Sequence, residues 1–512
     1  MPTTRRFSSV AVPALAVGLF AFAWTASFAQ DKPHDPPAGV KDPHDAAIPN
    51  DALKAPFKDT APIIFVTRNQ GAAEWAKLPA YWNETTEQAT DPITGEKATR
   101  RAVKIKVPLG LGTFPTVPPR NAMTVAKWEL GKRLYFDKIL STNNTVACAS
   151  CHQPGKGYGD ARKVSIGIAN NLGGVNAPTV INSAYNQFQF WDGRAASLEE
   201  QAQGPVGNPL EMFAGKGDHW EEAVVRLRKS PEYVKAFRAV FGHGPTRDAA
   251  SKAIAAYERT VLSGNSVHDR ADLLMRKRVA EEESGKFDLK AEDYAAAVKA
   301  AFAAKDAPAL TALGLDPAAD ADKAAAVGAK LVNGRTLFFG KARCSNCHVG
   351  DNFTDHAFHN LGVGAKDGSL PESEYGRWTR LPTGDKDETQ VGAFKTPGLR
   401  ALVGTGPYMH SGDEKTLEAV IDLYDRGGNA NEFLDAKMRD TDAERAFLKA
   451  KADGTTYTGP KPTIFTRGGR PIIPFKLNLT AAEKADLVLF LKALEGDPID
   501  PTVADPNWYP KN

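Results

Sequence analysis

The 512-residue chain is long enough for roughly three domains at the usual size. Its 42% hydrophobic and 24% charged residues are those of a globular protein with a core, which excludes a mainly disordered chain, a coiled-coil rod and a multi-span membrane protein. Lys+Arg 64 against Asp+Glu 61 leave a formal charge of +3, so nothing global points to nucleic acid.

Residues 1–29 read as an export signal. Arg5 and Arg6 open it, Val10 to Trp24 is an apolar run, and Ser27-Phe28-Ala29 places small residues before a cut at Gln30. An uncleaved anchor is the rival reading. No other stretch approaches the roughly 18 apolar residues of a membrane helix. The expected product is a periplasmic protein with no membrane span. Residues 30–122 form a Pro-rich extension with thirteen prolines, and its first twenty residues read as a mobile leader. His34 and His44 there read as solvated linker histidines. Asp91-Pro92-Ile93-Thr94-Gly95 precedes the alternation Val103, Ile105, Val107, which predicts a small β-hairpin.

From Met123 the pattern is helical. Residues 123–265 form one unit, 266–326 a charged, Ala-rich insertion, and 327–512 a second unit. Within the insertion, Asp293 to Ala304 and Ala319 to Leu331 read as surface helices. Thr480-Ala481-Ala482-Glu483 is a capping box opening an amphipathic helix that stops at Gly496 and Pro498.

The chain has four cysteines, in Cys148-Ala149-Ser150-Cys151-His152 and Cys344-Ser345-Asn346-Cys347-His348. Both are C-x-x-C-H, the c-type haem attachment pattern. Two thiols three residues apart can bond the two vinyl edges of one porphyrin, and the adjacent imidazole becomes the proximal iron ligand. Two disulfides, a thioredoxin-like pair or a four-sulfur zinc site would each leave the histidines unexplained.

The two units repeat each other. Gly131-Lys132-Arg133-Leu134-Tyr135-Phe136 and Gly334-Arg335-Thr336-Leu337-Phe338-Phe339 precede the cysteine pairs. Tyr158-Gly159-Asp160 and Phe353-Thr354-Asp355 follow them. Pro178 and Pro397 lie fifteen residues before Gly193 and Gly412. Twelve residues beyond those glycines stand Pro205 and Tyr424. Proline cannot ligate iron, whereas a tyrosinate can. The first haem is then open to a small oxidant and the second closed by Tyr424. The competing reading gives Tyr424 to the core and the iron to Met409 or Met438. No histidine or methionine lies between Gln153 and Glu211, although His219 or a remote side chain is a possible intruder. Gln201 and Glu211 flank Pro205. Glu211 reads either as the acid–base that moves a proton between peroxide oxygens or as a helix-capping or surface acid.

These motifs, with Asn176-Ala177-Pro178-Thr179, Phe190-Trp191-Asp192-Gly193-Arg194 and Pro407-Tyr408-Met409-His410, closely resemble the bacterial di-haem cytochrome c peroxidase family, including its methylamine-utilisation (MauG) branch. The resemblance covers about 123–262 and 327–496. It implies a mostly α fold, in which two duplicated cytochrome c-like domains pack haem to haem. It assigns distal roles to Gln201, Pro205 and Glu211, an inter-haem role to Trp191, and a bridging calcium to Asn176, Thr405 and Pro407, oxygen donors that suit a hard cation. Two departures point to the MauG branch. Ile168 stands where the family commonly has a blocking histidine, and Tyr424 where it has an axial methionine.

The expected activity is reduction of hydrogen peroxide to water. Haem one binds peroxide, Trp191 links the haems, and a small periplasmic donor (a cytochrome c or a cupredoxin) supplies electrons. One alternative is a MauG-like oxidase acting on tryptophans of a partner protein. The other is a non-enzymatic di-haem electron-transfer cytochrome.

Overall fold

The computed structural model describes residues 60–91, 94–216 and 218–510. The export signal, His34, His44 and the Pro92-Ile93 step lie outside the described residues. Among the described residues the fold is mostly helical, with three small sheets.

The extension opens with β1 (Ile63–Val66), α1 (Arg68–Lys77), β2 (Trp82–Thr90) and β3 (Lys97–Lys106). β2 and β3 are the two arms of the expected hairpin, paired antiparallel with Trp82 opposite Ile105. A third strand, β1, adds parallel to β3, so the order is β1-β3-β2. The alternation turns Trp82, Val103 and Ile105 onto one buried face, which joins the core of the first helical unit.

That unit contains α2 (Val125–Phe136), α3 (Cys148–Cys151), α4 (Leu198–Gln201), α5 (His219–Arg228), α6 (Pro231–Phe241) and α7 (Arg247–Glu258). α2 crosses α7 at Gly131, where a Cβ would stand 1.8 Å from the Ala253 carbonyl oxygen. Only glycine lets the helices approach this closely.

The insertion differs from expectation. Its helices α8 (Val267–Glu281), α9 (Ala291–Ala303) and α10 (Ala307–Ala312), with the start of α11 (Ala324–Phe339), are not simply surface helices. They share a core in which Tyr294, Val298, Leu310 and Leu331 are fully buried. The 326/327 boundary also falls inside α11. Leu331 faces the insertion core, while Leu337 and Phe338 belong to the core of the second unit.

The second unit adds α12 (Leu417–Asp425), α13 (Thr441–Ala452) and α14 (Ala481–Lys492), the last opened by the expected Thr480 capping box. α11 crosses α14 at Gly334, where a Cβ would stand 2.1 Å from the Asp486 carbonyl oxygen. This is the Gly131 crossing repeated. The loops repeat too. Gln189 bridges Ala195 around Gly193, and Tyr408 bridges Glu414 around Gly412, both glycines at positive φ.

The tail corrects the assignment of 327–512 to one domain. After α14 the chain returns to the first unit through α15 (Pro501–Ala504), and Val503 and Trp508 complete that unit's core. The Lys132 ammonium donates to the Thr502 and Trp508 carbonyls, each at 2.7 Å. A buried Arg400–Asp269 pair, 2.7 Å apart, further ties the second unit to the insertion. Arg400 also donates to the Gly110 carbonyl of the extension.

Candidate active site

Both C-x-x-C-H segments form tight turns, α3 in the first unit and a 3-10 turn over Cys344–Asn346 in the second. All four thiols are free, so neither pair is a disulfide. Each histidine is oriented alike. His152 Nδ1 faces the Tyr158 carbonyl at 3.2 Å and His348 Nδ1 the Phe353 carbonyl at 2.9 Å. A carbonyl only accepts, so Nδ1 carries the proton and Nε2 keeps its lone pair for iron. Burial lowers both imidazoles, His348 to about 4, which favours the neutral, ligating form. Tyr158 and Phe353 both adopt positive φ, the backbone twist that brings each carbonyl back to its histidine.

Above the second turn lies a cavity of about 1600 Å3, counting the solvent at its mouth. Cys344, Cys347, His348, Tyr424, Met409 and Trp191 all line it. Tyr424 comes from α12, and burial raises its phenol well above the usual value. Met438 lines an adjoining smaller pocket that Tyr424 also borders. At the rim His359 is clamped between two carboxylates, Nε2 to Asp355 at 2.9 Å and Nδ1 to Asp435 at 2.7 Å. With both ring nitrogens donating, this is an imidazolium. Burial works against its charge, but the bond to Asp435 and its other partners raise it to about 10.

In the first unit the corresponding helix is much shorter. α4 ends at Gln201, and Pro205 opens a 3-10 turn, whereas Tyr424 is still helical. The equal offsets from Gly193 and Gly412 thus fall on different backbone. Beyond Pro205 the loop returns to Glu211, whose Oε1 accepts from Asn208 Nδ2 at 2.5 Å. Burial pushes the Glu211 carboxyl up while the Arg194 guanidinium pulls it down. Ile168 is fully buried, and its amide donates to the Glu211 carbonyl at 2.8 Å. His219 packs against Gly207 and Phe213.

Trp191 donates its indole N–H to the Asn176 carbonyl at 2.9 Å, and its own carbonyl accepts from the Lys395 amide. His410 stands 6.4 Å from the Trp191 ring, stacks on Phe394 and meets Glu374 at 2.7 Å. The Asn176 amide nitrogen donates to the Arg162 carbonyl, leaving Oδ1 as the atom for a cation. Asn176, Thr405 and Pro407 line the same cavity. The roles of His359 and His410 escaped the sequence reading, although His410 lies inside the Pro407–His410 motif.

A family model described as di-haem cytochrome c peroxidase matches residues 125–278. Cytochrome-c peroxidase IdrP1 of Denitromonas iodatirespirans is 33% identical over 379 residues, covering 68% of this chain and 87% of the relative. The chain belongs to the di-haem cytochrome c peroxidase family. Methylamine utilization protein MauG of Methylorubrum extorquens is 32% identical over 354 residues, 67% of this chain and 83% of that one. The crystal structure of a MauG-like protein associated with microbial copper homeostasis superposes with a TM-score of 0.53 at 26% identity, covering 77% of this chain and 97% of that chain. As a di-haem cytochrome c peroxidase family member the chain is an oxidoreductase with haem cofactors, which sets aside the purely electron-transfer reading. Among the described residues no helix is long and apolar enough to cross a membrane.

Proposed function

We propose that the protein is a periplasmic peroxidase that reduces hydrogen peroxide to water with electrons from a small cytochrome c or cupredoxin. The observation that supports this reading is the setting of Ile168, which is fully buried and donates its amide to the carbonyl of Glu211, itself a half-buried acid. By the family resemblance this isoleucine stands where other members have a blocking histidine. The two attachment turns fit c-type haem, because each presents two free thiols and a neutral imidazole with Nε2 available. Bound haem supplies the redox chemistry. Cys148, Cys151 and His152 would hold one haem, and Cys344, Cys347 and His348 the other.

The chain's own groups do the rest. Gln201 orients peroxide and Pro205 keeps the face free of a ligating side chain. The Glu211 carboxylate takes the proton from one peroxide oxygen and returns it to the other. Asn208 holds that carboxyl in place. Trp191, His410 and Phe394 line the second cavity together with Tyr424, whose phenol oxygen would be a ligand for the iron held there. Oδ1 of Asn176, with the Thr405 and Pro407 carbonyls, would hold a calcium ion that fixes this geometry.

Ile168 and Tyr424 also favour a second reading, an oxidase that draws electrons from tryptophans of a partner protein. Steady-state peroxide consumption with reduced cytochrome c, without pre-reduction of the enzyme, tests the first reading. Rapid turnover supports it. Peroxide consumption that tracks a partner's oxidation and ignores the cytochrome supports the second.

A further inference from the structure

The aromatic residues behind the first attachment histidine form a continuous series to which none of the roles above is assigned. The Tyr135 hydroxyl donates to the His152 carbonyl at 2.8 Å, and the Tyr158 carbonyl accepts from His152 Nδ1. The Tyr135 ring centroid lies 6.3 Å from Tyr158 and 4.8 Å from Tyr257, and the Tyr158 and Tyr257 hydroxyls meet at 3.2 Å. Tyr257 lies 6.2 Å from Trp128, and Trp128 lies 6.3 Å from Trp508. Each spacing is that of rings in contact, about 4.5–7 Å. Trp508 is followed by Tyr509, which is 39% exposed. The series therefore runs from the backbone of the haem turn to the surface.

The duplicated unit supplies a control. Counted from Gly131 and Gly334, Trp128 corresponds to Leu331 and Tyr135 to Phe338. Tyr158 corresponds to Phe353, and the crossings of α7 and α14 pair Tyr257 with Phe490. The packing is the same, with Phe338 6.0 Å from Phe353 and 5.3 Å from Phe490. Phenylalanine and leucine thus satisfy this core. Buried phenols are worse for packing, since each hydroxyl needs a partner. Tyrosine and tryptophan do, however, give up an electron far more readily than phenylalanine.

We propose that Tyr135, Tyr158, Tyr257, Trp128 and Trp508 conduct single oxidising equivalents from the first haem to a surface site at Trp508–Tyr509. The proposal rests on the peroxidase reading. Hydrogen peroxide takes up two electrons and two protons and leaves as two waters. One electron returns to the oxidised haem centre from the nearest ring, and each ring is refilled by the next one out. The interior rings are restored, so no proton leaves the core. Trp508 or Tyr509 ends one electron short. A one-electron donor at the surface refills it, and without a donor that ring is oxidised in place of the haem. The Lys132 ammonium lies 5.1, 5.6 and 5.2 Å from the Trp128, Trp508 and Tyr509 centroids. Its charge disfavours a positive hole on any of these rings, and Tyr509, exposed to solvent, escapes this by losing its phenolic proton to water on oxidation, so the equivalent settles at the surface as a neutral radical.

The test mixes the di-haem protein with excess peroxide and a nitroso spin trap, with no donor, and maps adducts by mass spectrometry. Adducts at Trp508 or Tyr509 are expected. Trp128→Phe should abolish them although both surface rings remain. Trp508→Phe with Tyr509→Phe should move adducts inward and bleach the haem several-fold faster. Adducts confined to Trp191 or the haem, or surface adducts that persist in Trp128→Phe, overturn the proposal. Peroxide turnover with reduced cytochrome c on the same samples separates the two claims. No turnover removes the peroxidase reading and the conduction with it. Turnover without surface adducts removes the conduction alone.

Discussion

Replacing Glu211 by Gln keeps the side chain's shape and removes its acid–base function. The Asn208 Nδ2 donor at 2.5 Å finds an acceptor oxygen in glutamine as well, so the loop and haem uptake should persist. Losing a positioned acid–base group slows a reaction about 10²–10⁴-fold. That is about 2.7–5.4 kcal/mol of barrier at 1.36 kcal/mol per decade. The surroundings add a signature that a structural role would lack. Burial raises the Glu211 carboxyl and Arg194 lowers it. Only the carboxylate accepts the peroxide proton, so kcat/KM should climb with pH through a limb above the ordinary glutamate value of about 4.3. Arg194→Ala withdraws the opposing charge and should move that limb to higher pH. Stopped-flow reaction with peroxide across pH measures both effects. An unchanged rate in Glu211→Gln, or a limb that moves down in Arg194→Ala, would refute the assignment.

Tyr424→Phe should abolish a ligand-to-metal band of the second haem, and Tyr424→Met should raise its potential, since a thioether favours reduced iron more than a phenolate does; spectro-electrochemistry reads both. Removing residues 499–512 takes Val503 and Trp508 out of the first unit's core and strips the Lys132 ammonium of two carbonyl partners. Val503 is fully buried and Trp508 partly so; at about 1.5–3 kcal/mol per fully buried apolar side chain, denaturant unfolding should show a loss of at least about 2 kcal/mol. Glu258 is 5% exposed, its Oε2 has no hydrogen-bond partner, and burial raises its carboxyl to about 8. The folded state then binds this proton more tightly than the unfolded chain, so the contribution is full below pH 4.5 and is lost as pH rises through about 8. Glu258→Gln should flatten that slope in urea titrations between about pH 5 and about pH 9.

The haem turns and the duplication were legible because both rest on short-range patterns with one physical meaning. The C-x-x-C-H spacing is dictated by the porphyrin. Gly131 and Gly334 mark helix crossings that admit no side chain. The insertion core stayed hidden because α9 carries alanines on both faces, Ala297 and Ala301 buried but Ala296, Ala300 and Ala303 exposed, which leaves little hydrophobic contrast between them. The returning tail was invisible for a different reason. Val503 and Trp508 carry no periodicity, and their partners Lys132 and Tyr257 lie hundreds of residues earlier. The His359 clamp likewise joins Asp355 to Asp435 across 80 residues, a pairing no local spacing encodes.

The first haem should meet peroxide without prior reduction. The direct measurement is rapid mixing of the fully oxidised di-haem protein with peroxide in the absence of any donor, followed by optical spectroscopy. An immediate, saturable spectral change at the first haem, dependent on Glu211, is expected. A protein that stays silent until one electron has been added would show that a ligand blocks that face, and would contradict it.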